Sequence, residues 1–210
     1  MMELHYGVVV KMATGSNNTS LLAMSAPLYN VNPYDIIRST LTSTTTGGSN
    51  APSLARVYNS SGSQGIFAFQ FPSNTVEYEL YAIVQLPHTY NEGTSLIPRL
   101  NILTTASATG TTSWGLEYSC AGVNGTYNTT TININATLAL TPSSANQNLI
   151  LSFPSIPGTG LTVSSIIMCR LYRYPNTGTN ADTYTQSLFV PSFAFMFTLN
   201  TAGSRQPYVK

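Results

Sequence analysis

Residues Val76–Leu103 read VEYELYAIVQLPHTYNEGTSLIPRLNIL, and this stretch decides the fold. Val76, Tyr78, Leu80, Ala82, Val84 and Leu86 form an apolar row at period two, interleaved with Glu77, Glu79, Tyr81, Ile83 and Gln85. A strand with one face in a core is written this way. His88-Thr89-Tyr90-Asn91-Glu92-Gly93-Thr94 then supplies the polar and flexible residues of a surface turn. Leu100 and Ile102 resume the alternation, so the segment predicts strand, turn, strand.

The same grammar continues downstream. Phe67, Phe69 and Phe71 share one face of IFAFQF. Trp114, Leu116, Tyr118 and Cys120 alternate with Ser113, Gly115, Glu117 and Ser119. Asn124-Gly125 marks a turn. Ile132, Ile134, Ala136, Leu138 and Leu140 form a further row, and Leu149, Leu151 and Phe153 a shorter one ended by Pro154. The segment Ser164–Arg173 is apolar on both faces at first, which predicts a central strand. In Leu188–Leu199 the period places Phe189, Phe193, Phe195 and Phe197 on one face, and Pro191 at an edge or bulge. About eight antiparallel strands with Gly- and Asn-rich turns predict an all-β, jelly-roll-like sandwich over residues 54–210. An immunoglobulin-like sandwich fits less well, because the strands are long and the spacing around Trp114 is wide.

Residues 1–53 read differently, as an N-terminal arm and linker. Asn32 caps, Pro33 suits a first turn and Asp35 favours the positive helix end, so a short helix is expected over Pro33–Leu41. Thr42–Pro52, TSTTTGGSNAP, has the composition of a flexible linker. Two readings stay open: a docking arm, or a strand pair belonging to the sandwich.

Only 7% of the 210 residues are Asp, Glu, Lys or Arg, where about a quarter is usual. Ser, Thr and Asn take their places, which suits strand faces buried against neighbouring subunits. The net charge of +1 comes with no basic run, so nucleic acid is not an expected partner. No apolar run reaches about 18 residues, so no membrane helix is expected. MMELHYGVVVKM lacks the basic start of a secretory signal. Cys120 and Cys169 lie in apolar strand patterns and are expected as free buried thiols.

No catalytic, cofactor-binding or metal site is assigned. Glu77, Glu79 and Glu117 invite comparison with a glycosidase pair. They read instead as a polar face whose carboxylates pair with Arg99, Arg170 or Arg173. His88 beside Glu92, with His5 remote, does not supply the roughly four ligands of a zinc site. Two histidines and two core-like cysteines leave no nucleophile with an oriented base. Asn17, Asn18, Asn59, Asn124, Asn128 and Asn135 each head an N-x-[ST] pattern, read as chance in a Thr- and Asn-rich chain. Arg170, Tyr172, Arg173 and Tyr174 read as ion-paired strand tips, or as a sugar or partner surface. Asp182 and Arg205 are expected to form a buried pair.

Several segments together resemble one family. FQFP, then QLPHTYNEGTSLIPRLNI, SWGLEYSCAGVNGTYNTT, CRLYRYPNTGTNADTY and the terminal GSRQPYVK are similar to a β-sandwich family common among structural genes of tailed phages and large DNA viruses. Asp182, Tyr184, Gly203, Ser204, Arg205 and Lys210 occupy the places of the family's closing elements, and the match covers roughly residues 66–210. One departure stands out: Pro98-Arg99-Leu100-Asn101 replaces a Pro-His-x-His arrangement. The resemblance implies a non-enzymatic virion structural protein: a minor capsid, cement or decoration subunit, associating as a homo-oligomer, a trimer by preference, with the major capsid or other virion proteins. It implies assembly in the host cytoplasm. The alternative is a fibre, spike or receptor-binding module taking a host-surface glycan, with Tyr90, Tyr127 and Tyr174 as its sugar-stacking candidates.

Overall fold

The alternation seen in the sequence becomes strand pairing from Tyr34 onward. The computed structural model describes residues 34–42, 50–58, 62, 64–73 and 75–200. All of these fall in the unit running from Asn32 to Lys210. Among the described residues eleven strands form: β1 Tyr34–Arg38, β2 Thr40–Thr42, β3 Ser53–Val57, β4 Ile66–Phe71, β5 Tyr78–Gln85, β6 Ile97–Thr104, β7 Gly110–Ala121, β8 Ile132–Leu140, β9 Asn148–Ser152, β10 Ile166–Arg173 and β11 Leu188–Thr198.

They make two antiparallel sheets. Sheet A runs β3-β4-β11-β6-β9, with β1 also paired to β11; sheet B runs β2-β5-β10-β7-β8. Within these, β4-β11-β6-β9 faces β5-β10-β7-β8, and from β4 to β11 the chain changes sheet at every connection except the β7–β8 hairpin. That is the eight-stranded jelly roll expected from the strand spacing. β10 is central, as its apolar start predicts: it pairs β5 on one side and β7 on the other.

The core is the set of inward alternating residues. Leu80, Ala82, Val84 and Leu86 meet Leu100 and Ile102, Trp114 and Leu116, Ile167 and Leu171, and Phe193, Phe195 and Phe197. Each large buried side chain contributes about 1.5–3 kcal/mol. The row on β5 starts later than the sequence period implies, since Val76 precedes the strand and is exposed. Trp114 packs edge-on against Phe71 with ring centroids 4.8 Å apart.

Two expectations are corrected. The helix over Pro33–Leu41 does not form in its described part, where β1 and β2 stand instead. β1 pairs Tyr34–Arg38 with Ala194–Thr198, and β2 pairs Thr40–Thr42 with Tyr81–Ile83. The capping signals are local, whereas Ile36, Ile37 and Thr40 suit a pleated surface. Tertiary pairing overrides the cap, and Ile37 packs on the core. Ser39 carries the chain from one sheet to the other; its N–H and Oγ both donate to Phe193 O, at 3.0 and 3.1 Å. Residues 34–42 thus contribute one strand to each sheet of the sandwich.

The second correction concerns Phe189. The β11–β6 register shifts between Phe189 and Ser192, where Pro191 is the extra residue of a bulge. One inserted residue reverses the parity. Phe193, Phe195 and Phe197 enter the core, while Phe189 turns to the outer face of sheet A. There it packs with Val57 and Ala68, supported by Ala55 and Leu103.

Candidate functional site

The outer face of sheet B gathers Glu77, Glu79, Glu117 and Arg170, and sheet register brings them together. Tyr81, Arg170, Glu117 and Asn133 stand in one row across β5, β10, β7 and β8. Glu79, Tyr172, Gly115 and Asn135 form the next row.

Arg170 is the hub. Its Nε donates to Glu79, its Nη2 to Glu77 Oε1 at 3.0 Å and its Nη1 to Glu117 Oε2 at 3.3 Å. Burial opposes the charged guanidinium, but the hydrogen bonds and charges of Glu79 and Glu77 outweigh it and hold its pKa above the ordinary arginine value. Glu79 also accepts from Tyr81 OH at 3.2 Å, and Glu117 from Thr131 Oγ1 at 2.5 Å. The three carboxylates are therefore ion-paired through one arginine. Arg99 takes no part, because it sits on sheet A, and Arg173 points into the core.

Tyr172 lies flat across the neighbouring strand. It is only 2% exposed although its residue faces outward. Gly115 makes this possible: a Cβ there would overlap the Tyr172 ring. The Arg170 guanidinium carbon stands 4.4 Å from the ring centroid, and Tyr174 meets the ring edge-on at 5.1 Å. Asn133 both donates to and accepts from Tyr172 OH, at 2.7 and 3.0 Å, and Tyr174 OH donates to Asn135 Oδ1 at 2.7 Å. Burial, with Tyr174 beside it, raises the Tyr172 phenol pKa. The position of Tyr172 was not legible in the strand alternation. A glycine inside a strand is the signal that would have pointed to it.

The other sequence candidates lie apart from this face. Tyr90 is fully buried, packed edge-on against Phe197 with its hydroxyl donating to Thr94 O, so it offers no ring to a sugar. Tyr127 is half-buried in the β7–β8 connection. Glu92 Oε1 accepts from Val163 N at 2.9 Å, and Gly93 N donates to Leu161 O at 3.1 Å, so the Glu–Gly turn clasps the 158–165 loop. His88 is half-buried, and among the described residues no group of three or more His, Cys, Asp or Glu is placed to hold a metal ion. Cys120 and Cys169 are free thiols; burial raises both, Cys120 to about 11. Asn124, Asn128 and Asn135 are exposed, and Asn124 takes the left-handed φ of 62° at its turn. Asn17, Asn18, Asn59, His5, Lys11, Gly203, Ser204, Arg205 and Lys210 lie outside the described residues. So the Asp182–Arg205 pair is outside them too; among the described residues Asp182 pairs with Arg173.

The class defined by these observations is an antiparallel jelly-roll sandwich with an ion-paired outer sheet face. No family model matches the chain, and no curated protein matches it. Similar solved structures include a Clostridium thermocellum endo-1,4-β-D-xylanase 10B fragment, CBM22-1 with its GH10 module, complexed with xylohexaose. The identity is 13%, with 82% of this chain and 27% of that chain covered, at a TM-score of 0.34. A xylan-binding module, CBM15, is 10% identical over 81% of this chain and 100% of its own, at 0.37. The T13 infectious bursal disease virus (IBDV) particle protein is 18% identical over 63% of this chain and 29% of its own, at 0.35. This chain thus spans well under two thirds of the xylanase and virus chains. Carbohydrate-binding modules and viral particle proteins both occur among the similar structures, at a level that assigns neither role. No helix of the described residues is long and apolar enough to cross a membrane.

Proposed function

We propose that this chain is a non-enzymatic structural subunit of a virion, a capsid-associated minor capsid, cement or decoration protein built into the particle in the host cytoplasm. The observation that carries this reading is the apolar corner at β3 and β4. Leu54 and Phe67 on one face, Ile66 on the other and Tyr58 beyond the strand are all exposed, in a chain with 7% charged residues. β3 is an edge strand, paired only with β4 among the described residues. Exposed apolar clusters on an edge mark association surfaces. The family resemblance of QLPHTYNEGT, WGLEY and DTY supports the particle as the place of association.

Mass spectrometry of purified virions tests the reading. The chain is expected at a fixed copy ratio to the shell protein, and Leu54→Glu/Phe67→Glu is expected to fold yet fail to be incorporated. Absence of the wild-type chain from particles refutes it. Sedimentation of the isolated chain reads the oligomer, for which a trimer is the expectation.

A second reading, a glycan-binding fibre or receptor module, is favoured by the exposed amides of Asn133 and Asn135 beside the half-buried Tyr174. A glycan array decides it: binding lost in Tyr174→Ala supports this reading, and no binding above background removes it.

A further inference from the structure

The two outer faces of the sandwich carry opposite charge in matching patterns. On sheet A, Arg38, Ala194, Arg99 and Ser152 form one row across β1, β11, β6 and β9. Neither arginine is ion-paired with a carboxylate of the described residues, and the buried Nε of Arg99 has no hydrogen-bond partner. Two residues along, Ile36, Met196 and Ile97 form an apolar row on the same face.

On sheet B, one arginine faces three carboxylates, so the Arg170 cluster is formally negative. Two residues along from Tyr81 and Arg170, Ile83 and Met168 pair across β5 and β10, and both are exposed. Each face therefore shows a charged row and an apolar row about 7 Å apart, the rise of two strand residues. The charges are of opposite sign on the two faces.

We propose that copies of this chain stack face to face, the outer face of sheet A on one copy against the outer face of sheet B on the next. Arg38 and Arg99 meet Glu77 and Glu117, and the Ile36–Ile97 row meets Ile83 and Met168. The inference rests on the reading of the chain as a structural subunit, and it names the surfaces through which the subunit joins its own kind. The contact is heterologous: each bound pair leaves one sheet A face and one sheet B face open, so the arrangement extends to a closed ring or an open stack. Like faces repel, which specifies the pairing.

Sedimentation velocity on the full chain tests this. The wild type associates with concentration, and the association weakens when salt rises from about 0.05 M to about 0.5 M. Arg38→Glu/Arg99→Glu alone and Glu77→Lys/Glu117→Lys alone each lose association by about tenfold or more. An equimolar mixture of the two associates again, because each reversed face finds its complement, a recovery that misfolding does not produce. Ile83→Asp weakens association without touching the ion pairs. A wild type whose association ignores salt and both reversals, or a mixture that stays apart, overturns the stacking while leaving the subunit reading intact. A chain that is monomeric at every concentration overturns the stacking as well. Absence from purified particles is the separate result that removes the subunit reading.

Discussion

Arg173 and Asp182 meet in the core of the sandwich at the end of β10, each only 1% exposed. Arg173 Nε donates to Asp182 Oδ2 at 2.8 Å and its Nη2 to Oδ1 at 2.9 Å. The remaining guanidinium donors reach the carbonyls of Phe71, Tyr184 and Gln186. Asp182 in turn accepts from Thr112 Oγ1 and from the N–H groups of Ser113 and Tyr184. The pair ties the connection before β11 to β4 and β7. Every donor and acceptor is met, which is the condition for an ion pair to be tolerated away from water.

Removing one partner strands the other charge. Asp182→Ala is expected to destabilise the fold by about 3–5 kcal/mol in urea unfolding. Replacing both residues with apolar side chains of similar volume, Arg173→Met/Asp182→Leu, is expected to cost less than the single change. A single variant as stable as wild type would show that the pair holds nothing together.

Gly115→Ala places a methyl group where the Tyr172 ring lies. The ring must lift from β7, losing its contact with Arg170 and its hydrogen bonds to Asn133. A loss of about 1–3 kcal/mol is expected, with Tyr172 becoming solvent-accessible in ultraviolet difference spectra. Tyr172→Phe keeps the ring in place and is expected to lose only about 0.5–1.5 kcal/mol.

Deleting Pro191 removes the extra residue that turns Phe189 outward. β11 then has to bring Phe189 to the inner face or break its register with β6. A loss of about 2–4 kcal/mol is expected on thermal or urea unfolding. Pro191→Ala keeps the residue count at an exposed position, and its effect is expected to stay within about 0.5 kcal/mol.

Burial holds the Cys120 thiol neutral up to about 11 against its ordinary 9, and raises Cys169 as well. The unfolded chain ionises these thiols first. Stability from this source is therefore intact below about pH 9 and falls as pH rises from there through about 11. Unfolding midpoints measured across that range are expected to drop, and to drop less in Cys120→Ala. Thiol reagents at pH 8 are expected to label neither cysteine until denaturant is added.

Strand existence and the identity of the inward residues were legible because a half-buried strand repeats every two residues. The rows on β5 and β7 could be read directly, as could the central place of β10. The helix over Pro33–Leu41 was misread because its capping signals act within one turn, while the partners that decide the matter, Ala194–Thr198 and Tyr81–Ile83, lie far along the chain. Phe189 was misread because Pro191 was recognised as a bulge candidate without carrying through the change in parity. Tyr90 looked like a loop aromatic, yet the turn folds inward and seats it on Phe197.

The amino-acid sequence by itself determined the all-β class, the jelly-roll strand count, the scarcity of charge and the apolar row of each strand, since these depend on local period and composition. Only the tertiary structure decided which charges meet. Arg170 gathers Glu77, Glu79 and Glu117 because β5, β10 and β7 are neighbours in one sheet. Arg173 takes Asp182 because the chain turns back after β10, and Arg38 and Arg99 line the opposite face through their shared register with Ala194. Electrostatic partnership depends on distance through space. For strands of a jelly roll, that distance is set by sheet order, which no local pattern of residues encodes.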